Sequence, residues 1–155
     1  MADNFFNEEG ENMIVKQISI FLENRRGRLA EITQLLGEHQ INIRAISLAD
    51  TSDFGIVRLI VNDMEKAYEI LKNSGMTVNK NEVIAVEIPD QPGGLASVLN
   101  VLKSAGLNVE YLYGFLEKKT DKAIMIFRFD DMNEALRVLQ QNGISTITDK
   151  ELSNL

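Results

Sequence analysis

The sequence predicts an α+β protein made of two small domains in tandem, each with the element order β-α-β-β-α-β. Three observations predict it. The first is an internal repeat. Leu22-Glu23-Asn24-Arg25-Arg26-Gly27-Arg28-Leu29-Ala30 returns as Ile88-Pro89-Asp90-Gln91-Pro92-Gly93-Gly94-Leu95-Ala96, and Ile41-Asn42-Ile43 returns at the same spacing as Leu107-Asn108-Val109. Asp63-Met64-Glu65-Lys66-Ala67 is echoed by Asp131-Met132-Asn133-Glu134-Ala135, with an offset two residues larger, so one copy has the longer hairpin. A sequence that repeats at a fixed spacing describes a repeated structural unit. The second observation is that strand-period and helix-period segments alternate in the same order in both copies. The third is length: 155 residues leave roughly 70 per copy, the size of a small domain.

The elements follow in order. Ile14 to Leu22 alternates around Ile18, Ile20 and Leu22, a half-buried strand, and Asn24 to Gly27 makes a tight turn. Leu29, Ile32 and Leu36 have helical spacing that ends near Gly37 and His39. Ile43–Ala49 and Phe54–Val61 are β-rich runs separated by Asp50-Thr51-Ser52-Asp53, a hairpin signature. Asp63 can cap a helix that carries Met64, Ala67, Ile70 and Leu71 on one face and stops at Gly75, before a short strand at Met76–Val78. The second copy gives Val83–Ile88, Gly94–Ala105, Val109–Leu116, Ala123–Phe129, Met132–Asn142 and Ile144–Ile147. This order is that of the ferredoxin-like split βαβ arrangement, a four-stranded antiparallel sheet with both helices on one face. Residues 1–12, rich in Asn and acids, are expected to form a disordered tail. Domain 1 then covers 13–79 and domain 2 covers 80–155, with Asn79-Lys80-Asn81-Glu82 as the join.

The strands carry a second message. Val109, Tyr111, Tyr113 and Phe115 alternate with Leu112 and Leu116, and Ala123, Met125, Phe127 and Phe129 alternate with Ile124 and Ile126. A sheet with one wet face alternates apolar with polar, and these strands scarcely do. The second face therefore needs a cover from another sheet, domain or subunit, and a homodimer is expected.

Composition removes several functions. A net charge of −7 argues against nucleic acid or an anionic membrane as the main partner, since both need concentrated Lys and Arg. The absence of cysteine excludes disulfides, thiol chemistry and Cys-type zinc sites, and fits a cytoplasmic protein. No apolar run is long enough to cross a bilayer. The single histidine, His39, sits near a helix end, so no Ser/His/Asp or Cys/His set can be assembled and no metal or other cofactor is implied. Glu8-Glu9 and Asp130-Asp131 are read as a solvated tail and a helix start. The lone Gly93-Gly94 is no phosphate loop.

What remains is the strand–turn–helix junction of each copy. Gly27 and Gly93 allow close approach of a ligand to the backbone, and the helix start beyond each offers unpaired N–H groups for a small carboxylate. Asn24 and Asp90 precede the turn, and Asn42 and Asn108 follow eighteen residues later, where their side-chain oxygens could accept from an ammonium group. Read structurally, the same residues are turn, cap and helix-connection residues.

Asn24-Arg25-Arg26-Gly27-Arg28-Leu29 and Asp90-Gln91-Pro92-Gly93-Gly94-Leu95, each followed eighteen residues later by Asn42 or Asn108, resemble the ACT domain, from about Met13 to Asp149 as two copies. The resemblance implies a regulatory module of amino-acid metabolism that binds a small-molecule amino acid at interfaces between paired domains and acts on a regulated enzyme; members of the family usually carry a catalytic or DNA-binding domain as well, and none is expected in these 155 residues. It also implies the ligand-binding residues: Asn24, Arg26, Gly27, Arg28, Leu29 and Asn42 in one copy, Asp90, Gln91, Gly93, Gly94, Leu95 and Asn108 in the other. Arg26 stands where the family usually has the proline that Pro92 keeps, and Asp90 differs in charge from Asn24. Other readings are a purely structural interaction module with unused pockets, an RNA binder, which the acidity and missing basic aromatic strand motif disfavour, and a small enzyme, which lacks an acid/base pair.

Overall fold

A computed structural model of the chain describes residues 5–50, 53–116 and 121–155. The expected hairpin residues Thr51 and Ser52 lie outside the described residues. The elements run β1 (Val15–Glu23), α1 (Arg28–Glu38), β2 (Ile43–Asp50), β3 (Phe54–Val61), α2 (Met64–Asn73), β4 (Thr77–Pro89), α3 (Gly94–Ser104), β5 (Val109–Gly114), β6 (Lys122–Phe129), α4 (Met132–Gln141), β7 (Thr146–Ile147) and α5 (Asp149–Ser153). They form two compact units, one of Lys16–Asn81 and one of Met1–Val15 with Glu82–Leu155.

In the first unit β3 pairs antiparallel with both β1 and β2. Alternation does the sorting: Ile18, Ile20 and Leu22 of β1 and Val57, Leu59 and Val61 of β3 face the helices, where they meet Ile32 and Leu36 of α1 and Ala67 and Leu71 of α2. Asp63 caps α2 as its sequence position predicts, its Oδ1 accepting from the Lys66 amide at 3.2 Å. The second unit repeats the plan. β6 pairs with β5 and β4, and β4 pairs with β7, all antiparallel. Ile84, Val86, Ile88, Phe127 and Phe129 pack on Val98 and Leu102 of α3 and on Ala135, Leu136 and Leu139 of α4. Asp131 caps α4 by accepting from the Glu134 amide at 3.0 Å. Both units have the expected α+β architecture.

Four details differ from the sequence reading. The short strand at Met76–Val78, the join 79–82 and the strand at Val83 are one strand, β4; no Gly or Pro interrupts the chain between Thr77 and Ile88, so nothing ends it. The segment before Met13 is not a loose tail where it is described. Phe5 packs on the second core, its carbonyl accepts from the Met13 amide at 2.7 Å, and Phe6 and Asn12 form a bridge. A β-bulge between Val109 and Tyr111 turns Val109 to the helix side beside Phe129, away from the Tyr111–Tyr113 face. The same bulge recurs between Ile43 and Ala45. Finally, α5 follows the last predicted strand; it starts with a capping box in which Thr148 and Glu151 exchange hydrogen bonds.

The helix-free faces mix apolar with polar residues: Ser19 pairs with Arg58 on the first and Glu87 with Lys122 on the second. In the second unit Val83, Ala85, Ile124 and Ile126 are buried. In the first, Phe21 and Phe54 stack with ring centroids 5.1 Å apart and stay about half exposed.

Candidate functional site

The two turns are built alike. Glu23 and Pro89 end β1 and β4, and their carbonyls accept from the amides of Arg25 (2.9 Å) and Gln91 (3.0 Å). The Arg25 and Gln91 carbonyls then accept from the Arg28 and Gly94 amides at 3.4 and 2.9 Å. Gly27 and Gly93 are the helix N-caps, with φ of 86° and 83°. That left-handed conformation is what demands glycine here, since no protein atom crowds the position: a Cβ at either glycine meets nothing within 4 Å. Having no side chain, neither cap satisfies the helix start. Among the described residues, the amides of Leu29 and Ala30 in one turn and of Leu95 and Ala96 in the other have no backbone partner. Each turn thus presents a pair of donors at the positive end of a helix.

The turns differ in charge and stiffness. In the first, Arg25 pairs with Glu23 at 3.3 Å and Arg28 with Glu31 at 2.8 Å. The second has no basic residue between Ile88 and Ala96, and it holds both prolines of the chain, Pro89 and Pro92. Gly94 is buried, and a Cβ there would lie 1.9 Å from the Pro89 carbonyl oxygen, so α3 sits hard against the end of β4. Arg28 occupies the matching position of the first turn. Beside the second turn is an open depression of about 380 Å³, lined by Ile88, Pro89, Asp90, Gln91, Pro92, Leu95, Ala123 and Met125.

The asparagines of the sequence reading do not join their turns within a unit. The Asn24 amide donates to Asp53 O (2.9 Å), at the start of β3. Asn42 pairs with Asn62, at the end of β3: its amide donates to Asn62 Oδ1 at 2.9 Å, and its carbonyl accepts from the Asn62 amide at 3.1 Å. The length of β3 separates them, about 30 Å at the usual strand rise. The second unit repeats this: Asp90 N donates to Asp121 O (3.4 Å), while the Asn108 amide donates to Asp130 Oδ1 at 3.1 Å, at the far end of β6. A strand–helix–strand crossover returns the chain to the opposite end of the sheet, so an eighteen-residue spacing spans the unit rather than closing a site. Asn24, Arg26 and Gly27 are exposed in the first turn and Asp90, Gln91 and Gly93 in the second, with Leu29 and Leu95 half-buried behind them.

The other candidate groups are structural. His39 Nδ1 lies 2.9 Å from the Leu35 carbonyl, which it meets as a donor closing α1. Asp130 accepts from Asn108 and Asp131 amides, and Asp131 is a helix cap. Among the described residues no cluster of three or more His, Cys, Asp or Glu could hold a metal ion, and no helix is long and apolar enough to cross a membrane.

The chain is a tandem pair of ferredoxin-like units, each with an open amide pair at a strand–turn–helix junction. The chain belongs to the ACT domain pair family, which it matches over residues 13–155. It is similar to a solved protein from Bacteroides thetaiotaomicron at 38% identity and a TM-score of 0.86, over 92% of this chain and 98% of that one. The regulatory subunits of aspartate kinase from Thermus thermophilus and Thermus flavus, each 18% identical over 84% of this chain and 97% of theirs, share the fold with TM-scores of 0.59 and 0.55. Among curated proteins, none matches the chain.

Proposed function

We propose that this ACT domain pair is a non-catalytic sensor that binds an amino acid at the strand–turn–helix junctions and passes the signal to an enzyme of amino-acid metabolism. The observation that carries the reading is the duplicated pair of unpartnered helix-start amides, Leu29 and Ala30 in one turn and Leu95 and Ala96 in the other, each behind an exposed Asn24 or Asp90. Amides at a helix start hold a carboxylate, and the carboxamide or carboxylate in front accepts from an ammonium, so the two together fit the α-carbon end of an amino acid. Asn42 and Asn108 lie too far from the turn of their own unit to share its ligand. They take part where two domains face each other, which is why a ligand at a domain interface and a homodimer belong to the same reading. Ligation then favours one packing of the domains over another.

The test is a thermal and calorimetric screen of the full chain against the twenty amino acids. An amino acid at a hundred times its dissociation constant stabilises the fold by about 2.7 kcal/mol through mass action. A chain that shifts with none of the twenty is a structural interaction module, and the sensor reading fails.

A further inference from the structure

The depression beside the second turn says more about the ligand than the turn does. Its volume of about 380 Å³ is at the small end of the range for ligand pockets and accommodates a molecule of amino-acid size. Its lining is divided by chemistry. Ile88, Leu95, Ala123 and Met125 are apolar, two prolines form the rim, and Asp90 is the only charged residue among the eight. The strand register accounts for this: Ile88 lies opposite Ala123 and Val86 opposite Met125 on the helix side of the sheet, so the small side chain of Ala123 leaves the hollow that its neighbours wall. Ile88 belongs to the core, and Leu95 and Met125 pack on it half-buried, so the floor is backed by well-packed structure. With Pro89 and Pro92 in the rim and Gly94 against the Pro89 carbonyl, the hollow is pre-organised and loses little order on binding. The corresponding turn of the first unit carries Glu23, Arg25, Arg26 and Arg28 instead.

We infer that the second copy selects an amino acid with a neutral, apolar side chain, which lies in the hollow on Ile88, Leu95, Ala123 and Met125. This rests on the sensor reading above. A second carboxylate, an ammonium or a guanidinium on the ligand side chain would each exchange water for the hydrocarbon of Ile88, Leu95, Ala123 and Met125. A methionine- or leucine-sized side chain escapes that cost and removes apolar surface from water on both partners.

The experiment is titration calorimetry of the full chain with leucine, methionine, norleucine, aspartate, glutamate and lysine. Leucine, methionine or norleucine is expected to bind at least tenfold more tightly than the three charged amino acids. Ala123→Leu fills the hollow and should weaken the apolar ligands at least tenfold, while Arg25→Ala, in the first turn, should leave their affinity unchanged. Should Ala123→Leu fail to fold by circular dichroism, Met125→Gln puts an amide on the floor and serves the same purpose. Tighter binding of a charged amino acid, or apolar binding that survives the folded Ala123→Leu or Met125→Gln variant, overturns this inference and leaves the sensor reading standing. Silence from all twenty amino acids removes both.

Discussion

At the scale of single residues, the glycines of the turns do different work. Gly27 and Gly93 are required by their positive φ, not by crowding. Alanine at either position should therefore cost about 1–2 kcal/mol, the penalty of an L-residue in the left-handed region, and asparagine should cost less. Urea denaturation measures this. It also makes Gly→Ala a poor probe of ligand contact here, because the fold pays before the ligand does. Gly94 is the reverse case: its backbone is helical but a Cβ has nowhere to go, so Gly94→Ala must lift the start of α3 off Pro89. That loss should be about 2 kcal/mol or more, against a much smaller change for Arg28→Ala at the matching position. A Gly94→Ala protein as stable as the parent would show that the helix yields freely. A charge pair gives a pH signature. The hydrogen bond and charge of Arg137 hold the Glu134 carboxyl below its ordinary value. A lowered carboxyl adds stability above its unfolded value near 4.5 and loses it as pH falls through the folded value. The pair is exposed, so the effect is small. Arg137→Ala should return Glu134 to ordinary titration, readable by NMR.

At the scale of elements, helix starts and strand ends set both stability and reach. Asp63 and Asp131 satisfy the starts of α2 and α4, and Thr148 with Glu151 does so for α5; alanine at Asp63 or Asp131 should cost about 1 kcal/mol each in thermal unfolding. α1 and α3 have no such cap, and the donors they leave open are those assigned to the ligand. The strands separate Asp90 from Asn108 by the length of β6. Mutating each to alanine is therefore informative about where the ligand sits. A ligand held between two domains should lose about 1–3 kcal/mol of binding with either change, the usual cost of leaving a charged partner unpaired. A ligand held by one turn loses affinity with Asp90→Ala and ignores Asn108→Ala, and calorimetry separates the two.

At the scale of the whole molecule, the open question is what the helix-free faces meet. The stacked Phe21 and Phe54 leave two aromatic rings half in water on the first unit, at positions where the second unit has the Glu87–Lys122 ion pair, 3.7 Å apart. With a homodimer as the working proposal, size exclusion with light scattering should give twice the mass of 17.4 kDa at micromolar concentration. A monomer under those conditions would sink the dimer while leaving the ligand reading intact.

The order of elements, the two cores, the caps at Asp63 and Asp131 and the location of the turns were all legible in the sequence, because each depends on local periodicity and on residue types that act within a few positions. The capping box at Thr148 and Glu151 is a Thr-x-x-Glu spacing that the sequence reading passes over, and so it misses α5. Only the tertiary structure decided which of the repeated residues come together. Asn24 and Asn42 repeat in register with Asp90 and Asn108, and the spacing suggests one site. A crossover through a helix carries the second residue to the far end of the sheet, which no linear spacing records. The same holds for the continuity of β4, for the bulge that reverses Val109, and for the hollow beside Asp90. That hollow exists because Ala123 of β6 faces Ile88 of β4 across strands 35 residues apart in the chain.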